Sequence, residues 1–134
     1  MTGERGGNGA GVVTKLSSRS VADTVSRLTE MIAAKGMKAF AVIDQAAAAK
    51  EAGLKLRDTV LVVFGNPAAG TLVMQASPEA ALDLPLKVLV WDDGGQTKVM
   101  YVSPAALAER YNLGPELQAK LAGIDPLTDA LVAS

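Results

Sequence analysis

The sequence predicts an α+β protein: a mixed or antiparallel sheet with helices packed on it. Three observations carry that reading. Strand-like and helix-like segments alternate through the first half. Two hydrophobic runs, "LKVLVW" and "TKVMYV", flank "DDGGQ", a strong hairpin signal. In the second half, prolines follow Asn66, Ser77, Ser103 and Asp125, each pair reading as a helix cap followed by proline at the first helical position. A closing hairpin fits a mixed or antiparallel sheet better than a doubly wound parallel one.

The elements follow in order. Val12 to Leu16 reads as a short strand, rich in β-branched residues. Ser20 opens a helix, because "SVAD" places Asp23 three residues after a capping serine. Val21, Val25, Leu28 and Ile32 form its apolar stripe, and Gly36 supplies the left-handed residue that ends it. "MKAFAVIDQ" is the next strand, with Met37, Ala39, Ala41 and Ile43 on one face and Lys38, Phe40, Val42 and Asp44 on the other. Asp44 caps the alanine-rich helix "QAAAAKEAG", which Gly53 terminates. "TVLVVF" is apolar on both faces and therefore belongs at the centre of a sheet covered on both sides. Short helices begin at Pro67, Pro78, Pro104, Pro115 and Pro126, with the hairpin strands between the second and third.

Composition bounds the possibilities. At 134 residues the chain suits one domain, 11–134, preceded by a polar, glycine-rich tail, 1–10, that reads as disordered. Hydrophobic residues are 49 % and charged residues 20 %, enough to fold without cross-links; aromatics are 4 %, so the core must be aliphatic. Cysteine and histidine are both absent, which removes thiolate chemistry, disulfides, the commonest general base and the commonest transition-metal ligand. A net charge of −1 shows no basic surplus for nucleic acid. No window approaches the roughly 18 apolar residues of a membrane helix, and "MTGERGGNGAG" has no apolar core of a signal peptide. The expectation is a cytoplasmic protein with no cofactor, no metal, no nucleic acid and no membrane partner.

One stretch imitates a nucleotide site. Gly65 and Gly70 in "FGNPAAGTL" have the glycine spacing of a P-loop, and "VLVWDD" looks like a strand delivering a magnesium-binding aspartate. A working P-loop also needs a lysine and a hydroxyl after the second glycine. Thr71 and Leu72 stand there, and Pro67 lacks a backbone donor. Asp92 and Asp93 are explained by the hairpin turn. The stretch is therefore not a nucleotide hydrolase site. Gly65 instead lets the chain turn, and Asn66 caps the following helix, whose start could hold an anion weakly. Gly70 falls inside that helix, at a cost of about 1 kcal/mol relative to alanine. Close packing against the sheet is the favoured explanation, with a partner subunit or a ligand as the alternatives.

The span from about Ser20 to Leu113, and above all "FGNPAAGTLVMQ" and "LDLPLKVLVW", resembles the family catalogued as domain of unknown function 302. The resemblance implies an α+β fold related to the saddle-shaped TBP-like architecture, and small homodimers. It attaches no reaction to the chain. The family commonly has histidine after the strand-ending aspartate and again near the end of the helix following the hairpin. Gln45 and Tyr111 stand at those positions here.

The candidate ligand-binding residues are Asp44 and Gln45 at a strand end, and Gly65, Asn66, Gly70, Thr71, Met74 and Gln75 along the glycine loop and its helix, with Asp83 before "LPL". For Asp44 helix capping competes with ligand binding. Asp83 could equally bond local amides in a turn, and Pro85 should keep Leu84 extended. Met31, Met74 and Gln75 could line an apolar cleft or simply fill core. Trp91 and Tyr101 could anchor an interface or a ligand. No residue qualifies as catalytic. The reading is a homodimeric, non-catalytic module that binds a small ligand or partner near the Gly65–Asn66–Pro67 loop. The alternative is an enzyme working through carboxylates such as Asp44 and Asp83, or through a divalent ion. The dimer interface is expected to involve the segment from Gly70 to Leu86.

Overall fold

The computed structural model describes residues 11–133; the expected tail, 1–10, lies outside the described residues. Five strands, β1 (Val12–Ser17), β2 (Lys38–Asp44), β3 (Thr59–Gly65), β4 (Leu86–Asp93) and β5 (Gln96–Val102), form one sheet in the order β1-β5-β4-β3-β2. Every pairing is antiparallel. The α+β reading and its element order hold.

The first crossover, α1 (Val21–Ala34), carries the chain from one edge strand to the other beneath the sheet. It starts as the capping motif requires, with the Asp23 amide donating to Ser20 Oγ at 3.0 Å. It ends in a Schellman arrangement: Gly36, at φ 72°, donates to Ala33, and Met37 donates to Ile32. Its buried stripe is Val21, Thr24, Leu28 and Ile32. Thr24 replaces the expected Val25 because its hydroxyl is paired with buried Ser17, at 2.9 Å.

Opposite α1, the sheet presents Val60, Val62, Phe64, Val88, Val90, Val99 and Tyr101, one from every second position. The last helix, α6 (Ile124–Val132), closes this core with Ile124, Leu127 and Leu131. It begins at Ile124 and not at Pro126, so Asp125 is not its cap. Asp125 instead accepts a 2.5 Å hydrogen bond from Tyr101 Oη. Lys15 on β1 adds bonds to Thr128 Oγ1 (2.6 Å) and Asp129 (2.8 Å), tying the edge strand to α6. Burial works against the lysine charge, but the bonds to Asp129 and Tyr101 outweigh it and hold the ammonium pKa above its ordinary value. Burial and the Asp125 bond raise the Tyr101 phenol.

Two strand expectations fail in an informative way. β3 lies between β4 and β2, but only its Val60, Val62 and Phe64 are buried; Leu61 and Val63 face the less covered side. Both faces of "TVLVVF" are apolar, yet only one is fully covered. In β2 the register slips between Ala39, opposite Phe64, and Ala41, opposite Val63. Phe40 is the extra residue of a β-bulge, so Ala39 and Val42 share a face and the simple alternation breaks there.

The remaining elements gather at the sheet end defined by Gly65 and Leu86. After β3 come α3 (Pro67–Ala76) and a 3-10 helix (Pro78–Asp83), and after β5 come α4 (Pro104–Tyr111) and α5 (Pro115–Leu121). Ser103 caps α4 through the Ala106 amide, whereas Ser77 makes no side-chain cap. Val73, Ala80, Leu107 and Leu121 form a second core here, and Leu86 packs against both cores. The hairpin turns through Gly94 (φ 63°) and Gly95 (φ 101°), the two positive angles of a type I′ turn, while Asp92 accepts from the Gly95 amide. At the far end, α2 (Gln45–Glu51) buries no residue.

Ser20→Ala removes the one side-chain acceptor at the start of α1. It should destabilise the fold by about 0.5–2 kcal/mol, read as a lowered denaturation midpoint with an unchanged slope.

Candidate functional site

The candidate site follows from how β3 ends. The strand stops at Gly65, whose missing side chain leaves ordinary contact distance to Pro85, 3.8 Å from a built Cβ. Asn66 then caps α3 twice, accepting from Ala68 at 3.0 Å and from Ala69 at 3.2 Å, while the Gly70 amide donates to the Asn66 carbonyl. Pro67 has no amide proton to offer. Each backbone donor from Ala68 to Gly70 is therefore engaged. This corrects the expectation that the helix start could hold an anion, and it removes the amide cradle a phosphate loop needs.

Between α3 and the 3-10 segment lies an apolar cleft of about 490 Å³, within the range of small-ligand sites. Its floor and walls come from four regions. Gly65, Asn66, Pro67, Gly70, Thr71 and Met74 supply the loop and α3 side. Ala81, Leu84, Pro85 and Leu86 form the facing wall, with Leu84 extended ahead of a cis Leu84–Pro85 bond. The bulged Phe40 stands on β2, and Lys120 with Leu121 on α5. The bulge matters here, because it turns Phe40 out of the sheet's alternation and toward this space.

Gly70 is not explained by close packing, contrary to expectation. A Cβ built there meets only the Met74 Cε within 4 Å, at 3.9 Å. Neither the sheet nor a neighbouring backbone approaches it. Gly70 lines the cleft, and its missing side chain leaves that space open.

The other expected residues are dispersed. Gln75 is exposed and does not line the cleft. Met31 packs against the main core. Tyr101 is internal, and Trp91 lies on the less covered sheet face between Arg57 and Lys98, 5.8 and 5.7 Å from its ring. Asp44 caps α2 by accepting from Ala47 at 2.9 Å, and Gln45 starts that helix, exposed. Asp44 pairs with Val60 and Lys38 with Gly65, so Asp44 lies at the other end of β3 from the cleft, about 17 Å away along the strand.

Asp83 bonds side chains of α4 and not local amides. Its Oδ2 accepts from Arg110 at 2.7 Å and from the Tyr111 hydroxyl, fastening the cleft's outer wall to α4. The Tyr111 hydrogen bond and then the Arg110 guanidinium lower the Asp83 pKa, against a partial opposing desolvation. The same bond raises the Tyr111 phenol. Asp44 and Asp83 thus sit at opposite ends of the sheet within one chain. Gln45 and Tyr111 are equally separated within the chain, Gln45 opening α2 and Tyr111 ending α4. Among the described residues no group of three or more carboxylate, histidine or cysteine side chains could hold a metal ion.

Sequence reasoning missed Phe40, Leu84, Pro85, Leu86, Lys120 and Leu121 as lining residues. A signal existed for three of them, since "LDLPLKVLVW" is one of the two most family-specific stretches. Phe40 depends on a bulge and Lys120 on how α5 packs, neither of which local pattern reveals.

Fold and cleft together define the class: a one-sheet α+β protein with an apolar cavity at the end of the sheet. The chain belongs to the family described as domain of unknown function DUF302, whose model matches residues 13–131. The crystal structure of an uncharacterized conserved DUF302 protein from Bacillus stearothermophilus superposes with a TM-score of 0.78 over 92 % of this chain and 97 % of that one. At 23 % identity that likeness shows the fold. Among curated proteins, "Fluoride-specific ion channel FluC 1" of Brucella suis and of Brucella abortus are each 44 % identical over 106 residues, 78 % of this chain. The chain spans only 42 % and 39 % of those proteins. No helix among the described residues is long and apolar enough to cross a membrane.

The Asp83–Tyr111 contact predicts a pH signature. Asp83, with a lowered folded pKa, contributes stability that is present above its unfolded value of about 3.9 and is lost as pH falls through the folded value. Tyr111, raised, contributes below its unfolded value of about 10 and loses that contribution as pH rises through its folded value. Tyr111→Phe should move the Asp83 carboxyl up toward the ordinary range in an NMR titration and flatten both flanks of the stability profile. An unmoved Asp83 would show that the contact does not set its pKa.

Proposed function

We propose that this chain is a non-catalytic binding module that takes a small apolar ligand in the cleft beside the Gly65–Asn66–Pro67 loop, and that it works as a symmetric homodimer. The single observation that carries the binding reading is Gly70. It weakens α3, among the described residues only the Met74 methyl comes within 4 Å of the space it leaves, and it lines the cleft. Fluoride, raised by the names of the Brucella relatives, suits this cleft poorly. A small, strongly hydrated anion gains nothing from apolar walls, and the amides from Ala68 to Gly70 are already engaged.

Gly70 gives the test two opposed arms. Gly70→Ala should stabilise the fold by up to about 1 kcal/mol, since the new methyl meets only ordinary contact. Gly70→Leu should fill the cleft. Binding of the uncharged fluorophore N-phenyl-naphthylamine, followed by fluorescence, should be saturable in the parent and lost in Gly70→Leu. Equal binding in both proteins would remove the cleft from the reading.

For the assembly, Leu72 and Leu82 support the segment from Gly70 to Leu86 as the contact, at 46 % and 82 % exposed. Light scattering should report a dimer at high micromolar concentration, and Leu82→Glu should yield a monomer. A monomeric parent protein refutes the dimer. A Leu82→Glu variant that stays dimeric refutes this interface.

A further inference from the structure

Resting on the binding reading above, we propose that the cleft selects an amphipathic monoanion: an acyl-like apolar body with a carboxylate head seated at Lys120. Three observations converge on that chemistry. First, the walls are apolar over most of their extent, with Phe40, Met74, Leu84, Leu86 and Leu121 contributed by five different elements or segments. Such a surface rewards an extended hydrocarbon, each buried methylene strengthening binding by about three- to fourfold.

Second, the charge at the cleft has one sign. Among the described residues Lys120 is the single charged one in the lining, and no carboxylate lines it. The ion pairs among the described residues join Lys15 to Asp129, Arg57 and Lys98 to Asp93, and Arg110 to Asp83. Lys120 takes part in none of them. An ammonium beside an apolar cleft, with no counter-ion among the described residues, complements a ligand that brings one.

Third, the donor supply limits the size of the anionic head. A phosphate dianion is held by several convergent N–H groups, and those at the start of α3 are engaged by Asn66. Beyond Lys120 the lining offers the Thr71 hydroxyl and the Asn66 side-chain NH₂. So small a supply of side-chain donors suits a singly charged head better than a phosphate dianion. Lys120 also sits in the last turn of α5, with its long stem able to lie along the apolar wall while the ammonium stays at the water boundary. A carboxylate there keeps most of its hydration while its tail is buried.

Calorimetry on the full chain with decanoate, decanol, octanoate and decyltrimethylammonium, each below its micellar range, tests the assignment. Decanoate should bind one per chain, at least tenfold tighter than decanol, and octanoate about tenfold weaker than decanoate. Added salt should weaken decanoate and leave decanol unchanged. Lys120→Met should bring decanoate down to the decanol value without altering decanol binding, which also shows that the variant is folded. If decanol or the cationic amphiphile matches decanoate in the parent, the anion preference is wrong while the binding module stands. A Lys120→Met protein that keeps the decanoate preference removes Lys120 from the assignment. If no probe binds, both the preference and the cleft reading fail. If decanoate only dissociates a dimer, with no saturable site on the chain, the cleft belongs to a second copy and the proposal is overturned.

Discussion

The structure depends on burial of one face of an antiparallel sheet beneath two helices. Phe64, Val62, Val88, Val90 and Val99 are at most 1 % exposed, pressed against Leu28 and Ile32 of α1 and Leu127 and Leu131 of α6. Most of the apolar surface that drives folding is removed from water in this one layer. Its constraints propagate outward. α1 must cross from edge to edge to cover the sheet, which leaves β2 as an exposed edge strand. α6 must return to the β1 side, and the Lys15–Asp125–Thr128 bonds hold it there. Helices that do not fit beneath the sheet collect at its end.

That arrangement makes a cleft almost unavoidable. The second core, around Val73, Leu107 and Leu121, is joined to the first through Leu86. Two cores meeting at one strand end leave a space that they do not fill: Leu86 and Leu121 show one side to the cores and the other to the cleft, and α3 and the Ala81–Leu86 wall border it. The wall cannot drift, because Asp83 is held by Arg110 and Tyr111 of α4 and Lys87 reaches back to the Asp83 and Pro85 carbonyls. A cavity in this position is set by the scaffold, which is the condition for a largely preformed ligand site.

Local chemistry in the sequence accounts for most of the element boundaries. The caps at Ser20, Asp44, Asn66 and Ser103 bind the amides they should, and the Asp92–Gly95 turn closes the hairpin as its residues demand. What was not legible depends on tertiary context. The start of α6 escaped because Asp125 is recruited by Tyr101, a residue 24 positions away, so the cap-then-proline pattern had no free aspartate to use. Thr24 is buried because Ser17 offers it a partner, which outweighs the advantage of the more apolar Val25. The two-sided hydrophobicity of β3 promised two covering layers, and only one exists. For the site, the loop residues Gly65 to Met74 were readable from an interrupted motif. Lys120 and Phe40 were not, because nothing local distinguishes a surface lysine beside a cleft from any other.

Two departures from local regularity meet at this cavity, and neither serves the core. The bulge at Phe40 sacrifices ladder regularity on an edge strand that buries little. The glycine at position 70 weakens a ten-residue helix in which alanine would fit without a clash. The first opens the alternation so that an aromatic ring reaches the cleft; the second keeps its opposite wall low. Chains fold most reliably when local preference and global structure agree, and the exceptions concentrate where something other than stability is selected. A single exception would say little. Two, thirty residues apart in sequence, border the same volume, and that is where the departure from local preference is concentrated.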